Sequence, residues 1–208
     1  EHQRRQLLKH IELLIEINKN LTLTRITSVD DALVLHVLDS LLPLKVCNEF
    51  LSGTHNYIDI GTGGGFPGLP LAIMSDNKTL LVDSIGKKIN AVQSMIEEIP
   101  NAYKQKFDFV TFRAVAKTNI LLEYAEPFLA PQGTLIVMKA NVDEIELQDA
   151  SQAAKIFGYE NVSRETFELP NNLGHREILL YKKVTKSKIK LPRKTGMAKS
   201  NPFVARRG

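Results

Sequence analysis

Tyr57-Ile58-Asp59-Ile60-Gly61-Thr62-Gly63-Gly64-Gly65-Phe66-Pro67-Gly68 is the stretch that decides the fold. Its first four residues read as a buried strand carrying one carboxylate. Glycines at 61, 63 and 65 follow, and Pro67 opens a helix. Glycine is needed where φ is positive or where a ligand touches backbone directly. Proline costs nothing in a first helical turn, where its missing N–H would be unpaired anyway. A strand, a glycine loop and a helix N-terminus together make a cradle whose N–H groups point at a bound group. Gly63, Gly65 and Gly68 satisfy G-x-G-x-x-G, which alone is a weak dinucleotide signal. The carboxylate ahead of the glycines, in Asp59-x-Gly61-x-Gly63-x-Gly65, favours a cofactor with a cationic end over a pyrophosphate. Asp83 closes the next apolar run, where a carboxylate accepts from ribose hydroxyls with either cofactor.

Outward from this stretch, short apolar runs at 57–60, 79–82, 107–112 and 134–138 alternate with helix-like segments at 68–75, 87–98, 118–129 and 143–157. The alternation predicts βα units and an α/β, doubly wound, Rossmann-like parallel sheet. Segments 160–168 and 176–184 are rich in β formers and predict an antiparallel pair at the sheet edge. Pro131-Gln132-Gly133 reads as a turn before the strand at Thr134. Upstream, Leu7, Leu8, Ile11, Leu14 and Ile15 describe an amphipathic helix ending near Asn18. Ser28 with Asp31 resembles a capping box opening a second helix through Leu33, Leu35, Leu38 and Leu42. The expected organisation is a helical cap over 1–50, a ligand-binding domain over 51–184 and a tail over 185–208.

One unit is missing from the pattern. The helix after Asp83 ends near Glu98-Ile99, and Pro100-Asn101-Ala102-Tyr103-Lys104-Gln105-Lys106 leads straight into the run at Phe107. A further strand with its loops needs roughly 10–20 residues, and there is no room for them. Either the unit is deleted, or a segment is absent between Ile96 and Lys104. The second reading predicts flanking Cα atoms farther apart than the ~3.8 Å of a trans peptide. A first residue that is Glu1 rather than Met favours it, and suggests a missing natural N-terminus.

Charge is unevenly spread. Residues 182–208 hold ten of the 27 basic side chains and none of the 23 acidic ones, so the remainder carries a net −6. An acidic body with a basic end predicts contact with a polyanion. The alternative is a solvated terminus that binds nothing. A single cysteine, Cys47, excludes an internal disulfide framework and fits a reducing, cytoplasmic setting. It lies among Leu44, Val46 and Phe50 and reads as a small buried hydrophobe. No apolar run approaches the ~20 residues of a membrane helix, and a monomer is expected.

Several blocks carry a resemblance to a known family. Asn20-Leu21-Thr22 with His36-x-x-Asp39-Ser40-Leu41, Gly61-Thr62-Gly63-Gly64-Gly65-Phe66-Pro67-Gly68-x-Pro70-Leu71-Ala72, Asp83-Ser84-x-Gly86-Lys87-Lys88, Arg113-Ala114 and Leu191-Pro192-Arg193-Lys194-x-Gly196 occur in order. Together they resemble the 16S ribosomal RNA guanine-N7 methyltransferase G family, also called glucose-inhibited division protein B. The resemblance implies a class I methyltransferase fold, S-adenosyl-L-methionine as cofactor, and 16S rRNA or the 30S subunit as partner. The expected product is N7-methylguanosine in the 530 loop. It further implies cofactor contacts at Gly61, Gly63, Gly65, Phe66, Asp83 and Arg113. Guanine N7 carries a lone pair and no proton, so no acid/base residue, metal or reactive thiol is expected, and catalysis should rest on positioning and electrostatics. Lys139, closing the run at 134–138, and Arg176, after Gly174-His175, are the positioning candidates. His36, Asp39 and Ser40 share one helix face. They serve either the mouth of the site or the clamping of the cap, and are not counted as catalytic. A nicotinamide-dependent oxidoreductase and a non-catalytic RNA-binding or ribosome-assembly protein are the rival readings.

Overall fold

A computed structural model describes residues 1–20, 23–83 and 104–206. Six strands form one sheet in the order β2-β1-β3-β4-β6-β5. They are β1 (Asn56–Ile60), β2 (Lys78–Val82), β3 (Phe107–Arg113), β4 (Leu129–Lys139), β5 (Tyr159–Glu168) and β6 (His175–Lys183). The first four run parallel, and β6 pairs antiparallel with both β4 and β5. The predicted antiparallel edge pair is therefore present. Cys47 is free and buried, as expected.

Both faces of the sheet are covered, which explains its near-continuous apolar runs. On β4, Leu135 and Val137 face one core together with Leu121, Leu122, Ala153 and Phe157 of the helices α5 (Thr118–Ala125) and α6 (Glu144–Phe157). Ile136 and Met138 face the other, with Phe50, Tyr57 and Leu71. Leu71 belongs to α4 (Gly68–Met74). Helix α6 starts on an Asp143 cap that accepts from the Glu146 N–H and ends at the left-handed Gly158. These are the side chains that favour each kind of helix end.

The N-terminal cap begins with α1 (His2–Asn18), its end as predicted. Helix α2 (Val29–Ala32), opened by Ser28 accepting from the Asp31 N–H, runs through a π-helical stretch (Leu33–Leu38) into α3 (Asp39–Leu41). Ile11 and Leu14 of α1, Ala32 and Val37 close on Phe66 in a third small core. The cap is thus built onto the glycine loop.

Two expectations change. Pro131-Gln132-Gly133 is no turn before a strand but lies inside β4. Gln132 adopts a φ of 65° there and the pairing with β3 shifts register between Phe107 and Phe109, so the segment is a bulge. A bulge is one of the few places where a sheet tolerates proline. The helix read as 118–129 ends at Ala125, and β4 begins at Leu129. Within the tail read as 185–208, the described residues are docked on the domain. Ile189, Leu191 and Phe203 pack on the main core, and α7 (Met197–Ser200) buries Ala198. The helix read at 87–98, and the peptide geometry between Ile96 and Lys104, lie outside the described residues.

Candidate active site

In a doubly wound sheet the ligand crevice opens where consecutive connections leave in opposite directions, beyond the C-terminal ends of the strands. Here that point is the end of β1, which has β2 on one side and β3 on the other. The loops after β1 and β3 meet at this point. The N–H groups of Gly61 and Thr62 donate to Val82 O (2.8 and 3.2 Å), tying the glycine loop to β2. A Cβ on Gly61 would lie 2.8 Å from Val115 of the β3 loop. Gly63, with φ of 55°, donates its N–H to the Asp83 carboxylate. Gly65 turns the loop back, its N–H on Thr62 O at 2.9 Å, and sits against His10.

Asp59 is fully buried beneath this loop. Its Oδ2 accepts from Gly68 N (2.9 Å) and its Oδ1 from the Thr111 hydroxyl (2.7 Å), which also meets the Tyr57 hydroxyl at 2.8 Å. A buried carboxylate without such partners would be prohibitive. Burial still pushes its pKa up, opposed by the hydrogen bonds from Thr111, Thr62 and Gly68 and by the charge of Arg113. The sequence reading had Asp59 facing the cationic end of a cofactor. Instead it caps the first turn of α4 from inside. Gly68 itself packs closely on the sheet, where a Cβ would lie 2.2 Å from Leu81 and 2.7 Å from Asp59.

Phe66 is 3% exposed. Its ring lies between the imidazoles of His10 (4.5 Å, 20°) and His36 (4.6 Å, 15°), with the Arg113 guanidinium 5.6 Å from its centroid. With both faces covered, it offers a ligand only its edge and backbone. His10 Nε2 also meets Gly64 O at 2.9 Å, so α1 clamps the loop directly. Burial lowers the pKa of both histidines. For His36 the nearby charges of Arg113 and His10 add to it, and the value falls to about 4. His36 Nε2 meets the Thr24 hydroxyl at 3.0 Å.

Two cavities adjoin here. A smaller one, about 150 Å³, is walled by Gly61–Gly64 and Phe66, and a larger one of about 540 Å³ lies beside it. They share His36, Arg113 and Ala114. Asp39, Lys139, Asn141 and Arg176 complete the polar lining of the larger one. Asp39 accepts from Arg113 Nη1 with one oxygen and from Arg176 Nε with the other, both at 3.1 Å. Arg176 also donates to His175 O at 2.7 Å. Burial depresses the Arg113 pKa, opposed by Asp39 and Asp59. The Lys139 ammonium lies 2.9 Å from the Glu146 carboxylate and donates to Ala116 O at 2.9 Å. Glu146 accepts in turn from the Thr118 N–H and hydroxyl (2.8 and 2.6 Å). This network pins the loop after β3, in which Ala114 holds a φ of 56°. A non-glycine residue in the left-handed region is strained, and such strain gathers at functional sites.

The fold thus gathers Gly61, Gly63, Phe66 and Arg113 around the smaller cavity and Arg113, Lys139 and Arg176 around the larger. Asp83 reaches the loop through Gly63. His36 and Asp39 line the larger cavity, whereas Ser40 is buried and donates to His36 O at 2.5 Å. His10 was missed, although its spacing from Leu7 and Leu14 places it on the apolar face of α1. Glu146 was missed too, and only its place three residues after the Asp143 cap could have marked it.

Residues 3–177 match the family described as rRNA small subunit methyltransferase G. Curated relatives named ribosomal RNA small subunit methyltransferase G include those of Lactobacillus acidophilus (31% identical, covering 98% of this chain and 92% of the relative) and Leuconostoc citreum (35%, 98% and 92%). The first alignment runs over 221 positions, whereas 98% of 208 residues is about 204. Some 17 positions of the alignment therefore have no counterpart here. Among solved structures, a Burkholderia thailandensis 1,6-didemethyltoxoflavin-N1-methyltransferase with bound S-adenosylhomocysteine superposes with a TM-score of 0.53 at 14% identity, covering 70% of this chain and 79% of that one. A putative methyltransferase of Bacillus halodurans gives 0.52 at 13%, covering 71% and 100%. The fold is that of these methyltransferase structures, and the chain belongs to the rRNA small subunit methyltransferase G family.

Proposed function

We propose that this chain transfers the methyl group of S-adenosyl-L-methionine to N7 of a guanine in the 530 loop of 16S rRNA. One observation carries the reading: two cavities share a wall of His36, Arg113 and Ala114 at the switch point of the sheet, one bounded by the glycine loop and the other by basic side chains. The loop fits the methionine half of the cofactor. Left-handed glycines bring backbone to the cavity wall, and Asp83 stands beside Gly63.

The bound cofactor supplies an electrophilic methyl group on a sulfonium. This chain's residues have to orient the acceptor, since guanine N7 presents its lone pair in the ring plane and has no proton to lose. His36, with its pKa near 4, is neutral at physiological pH. Arg113 and Arg176 share the single carboxylate of Asp39, while Lys139 is balanced by Glu146. The larger cavity therefore keeps about one unit of positive charge. That charge suits a phosphate or the guanine O6 acceptor, and the Asp39 clamp fixes both guanidinium planes before substrate arrives.

The test is tritium transfer from methyl-labelled S-adenosylmethionine into 16S rRNA or 30S subunits lacking the modification. Label in the RNA is expected. Tight binding of a reduced nicotinamide dinucleotide without S-adenosylmethionine binding would overturn the reading in favour of an oxidoreductase. Binding of RNA with no transfer would favour an assembly protein.

A further inference from the structure

The basic C-terminal segment has an order that its composition does not announce. From Lys186 to Lys194 exposure alternates. Lys186, Lys188, Lys190 and Lys194 stand out in solvent, while Ser187, Ile189, Leu191 and Arg193 turn inward. The inward residues are fastened. The Val184 and Thr185 N–H groups donate to Gly158 O and the Lys188 N–H to Ile156 O, between 2.8 and 3.1 Å. Arg193 makes a two-pronged pair with Glu123 of α5 (2.7 and 2.5 Å) and lies 4.5 Å over the Phe203 ring. Asn119 donates to Phe203 O (2.8 Å), and Asp149 accepts from the Ala205 N–H (3.0 Å).

The segment starts at the end of the sheet opposite the active site, against the C-terminus of α6. It finishes beside Asp149, three residues along α6 from the Glu146 that holds Lys139. It is therefore a strap laid along the α5–α6 face, from Gly158 toward the end of α6 that carries Glu146. Of its cations, Lys182, Lys183 and Arg193 are paired with Glu49, Glu126 and Glu123. Among the described residues no ion pair engages Lys186, Lys188, Lys190, Lys194 or exposed Arg206.

We propose that this strap is a preformed rail for the phosphate backbone of the RNA substrate, which leads the strand along the α5–α6 face toward the cavity. The proposal rests on the RNA methyltransferase reading. Flexible lysines lose side-chain and backbone freedom when they meet a polyanion. Lysines on a backbone already anchored lose only that of the side chain. Their contacts are with phosphates, so they add affinity without choosing a sequence. The Arg193–Glu123 pair then sets the position of the rail without touching RNA.

The experiment measures the affinity of the full chain for transcribed 16S rRNA across a salt series, with S-adenosylmethionine binding followed separately by calorimetry. Lys186→Gln/Lys188→Gln/Lys190→Gln should weaken RNA binding roughly tenfold or more at 0.1 M salt. It should also flatten the log–log salt slope by about two to three units, with cofactor affinity unchanged. Glu123→Gln sets order against charge, since it releases Arg193 while making the protein one unit more positive, a change that by itself would tighten RNA binding. A preformed rail predicts weaker RNA binding for it, with a folded protein by circular dichroism. Unchanged affinity and slope in the triple variant would overturn the proposal. So would RNA binding by folded Glu123→Gln as tight as that of the parent, or loss of binding to vesicles with 30% phosphatidylserine in place of RNA. If the parent protein methylates 16S rRNA while the triple variant binds it normally, the strap proposal alone fails. If the parent neither binds cofactor nor transfers methyl, the underlying reading fails instead.

Discussion

Asp39, on the helical cap, and Arg176, on the last strand, meet at 3.1 Å although 137 residues separate them. The same carboxylate takes Arg113 at 3.1 Å, so one buried acid joins cap, β3 and β6 around the larger cavity. Removing one partner of a buried ionic cluster leaves uncompensated charge and costs roughly 3 kcal/mol. Asp39→Asn is expected to lower the melting temperature clearly and to cut methyl transfer more than it cuts cofactor affinity. Parallel scanning calorimetry and cofactor titration check this; a variant with parent-like transfer would show that the clamp has no part in positioning.

Gly63 carries the second prediction. Its φ of 55° strains any other residue, a β-branched one most, by ~1–3 kcal/mol. A side chain there also projects beside Asp83, whose oxygen lies 3.8 Å from where the Cβ would stand. Gly63→Val is expected to keep the far-ultraviolet circular dichroism of the parent and to lose at least tenfold in S-adenosylmethionine affinity. Calorimetry showing unchanged affinity in the folded variant would remove the loop from the cofactor site.

Acid should loosen the cap. Burial holds His36 neutral with a pKa of about 4, against an ordinary value of 6.5, and His10 is lowered in the same sense. Between those values the unfolded chain binds protons that the folded chain refuses. The stability in question is therefore whole above pH 6.5 and lost as pH falls through about 4. It amounts to at most about 3 kcal/mol for His36. His36→Gln can keep the bond to Thr24 and has nothing to titrate, so its melting temperature should fall less than that of the parent between pH 6.5 and 4. Parallel curves for the two proteins would rule His36 out as the acid-sensitive joint.

How far the sequence reveals all this depends on how local each cause is. The strand, glycine loop and helix over 57–74 follow from neighbouring residues, and so do the caps at Ser28, Asp143 and Gly158. Pro131-Gln132-Gly133 misleads, because turn residues also suit a bulge and only pairing with β3 selects between them. The stacking of Phe66 between His10 and His36 unites three segments, and no periodicity within one segment reports it. The lysines at 186, 188 and 190 look like a solvated run until Ile189 between them and Leu191 after them are seen on the core. Arg113 and Arg176 could be named from the sequence as basic groups at strand ends. The carboxylate that joins them could not, because the sequence places Asp39 equally well as a partner within its own helix.

The central claim is the acceptor atom, and the most direct measurement is to map it. N7-methylguanosine carries a cationic ring that borohydride reduces, after which aniline cleaves the chain, so primer extension reads the site as a stop. With 16S rRNA from cells lacking this protein, incubation with the protein and S-adenosylmethionine should create one such stop, at a guanine of the 530 loop, and none without the cofactor. Methyl incorporation with no cleavable guanine there, or a stop elsewhere in the RNA, would contradict the account.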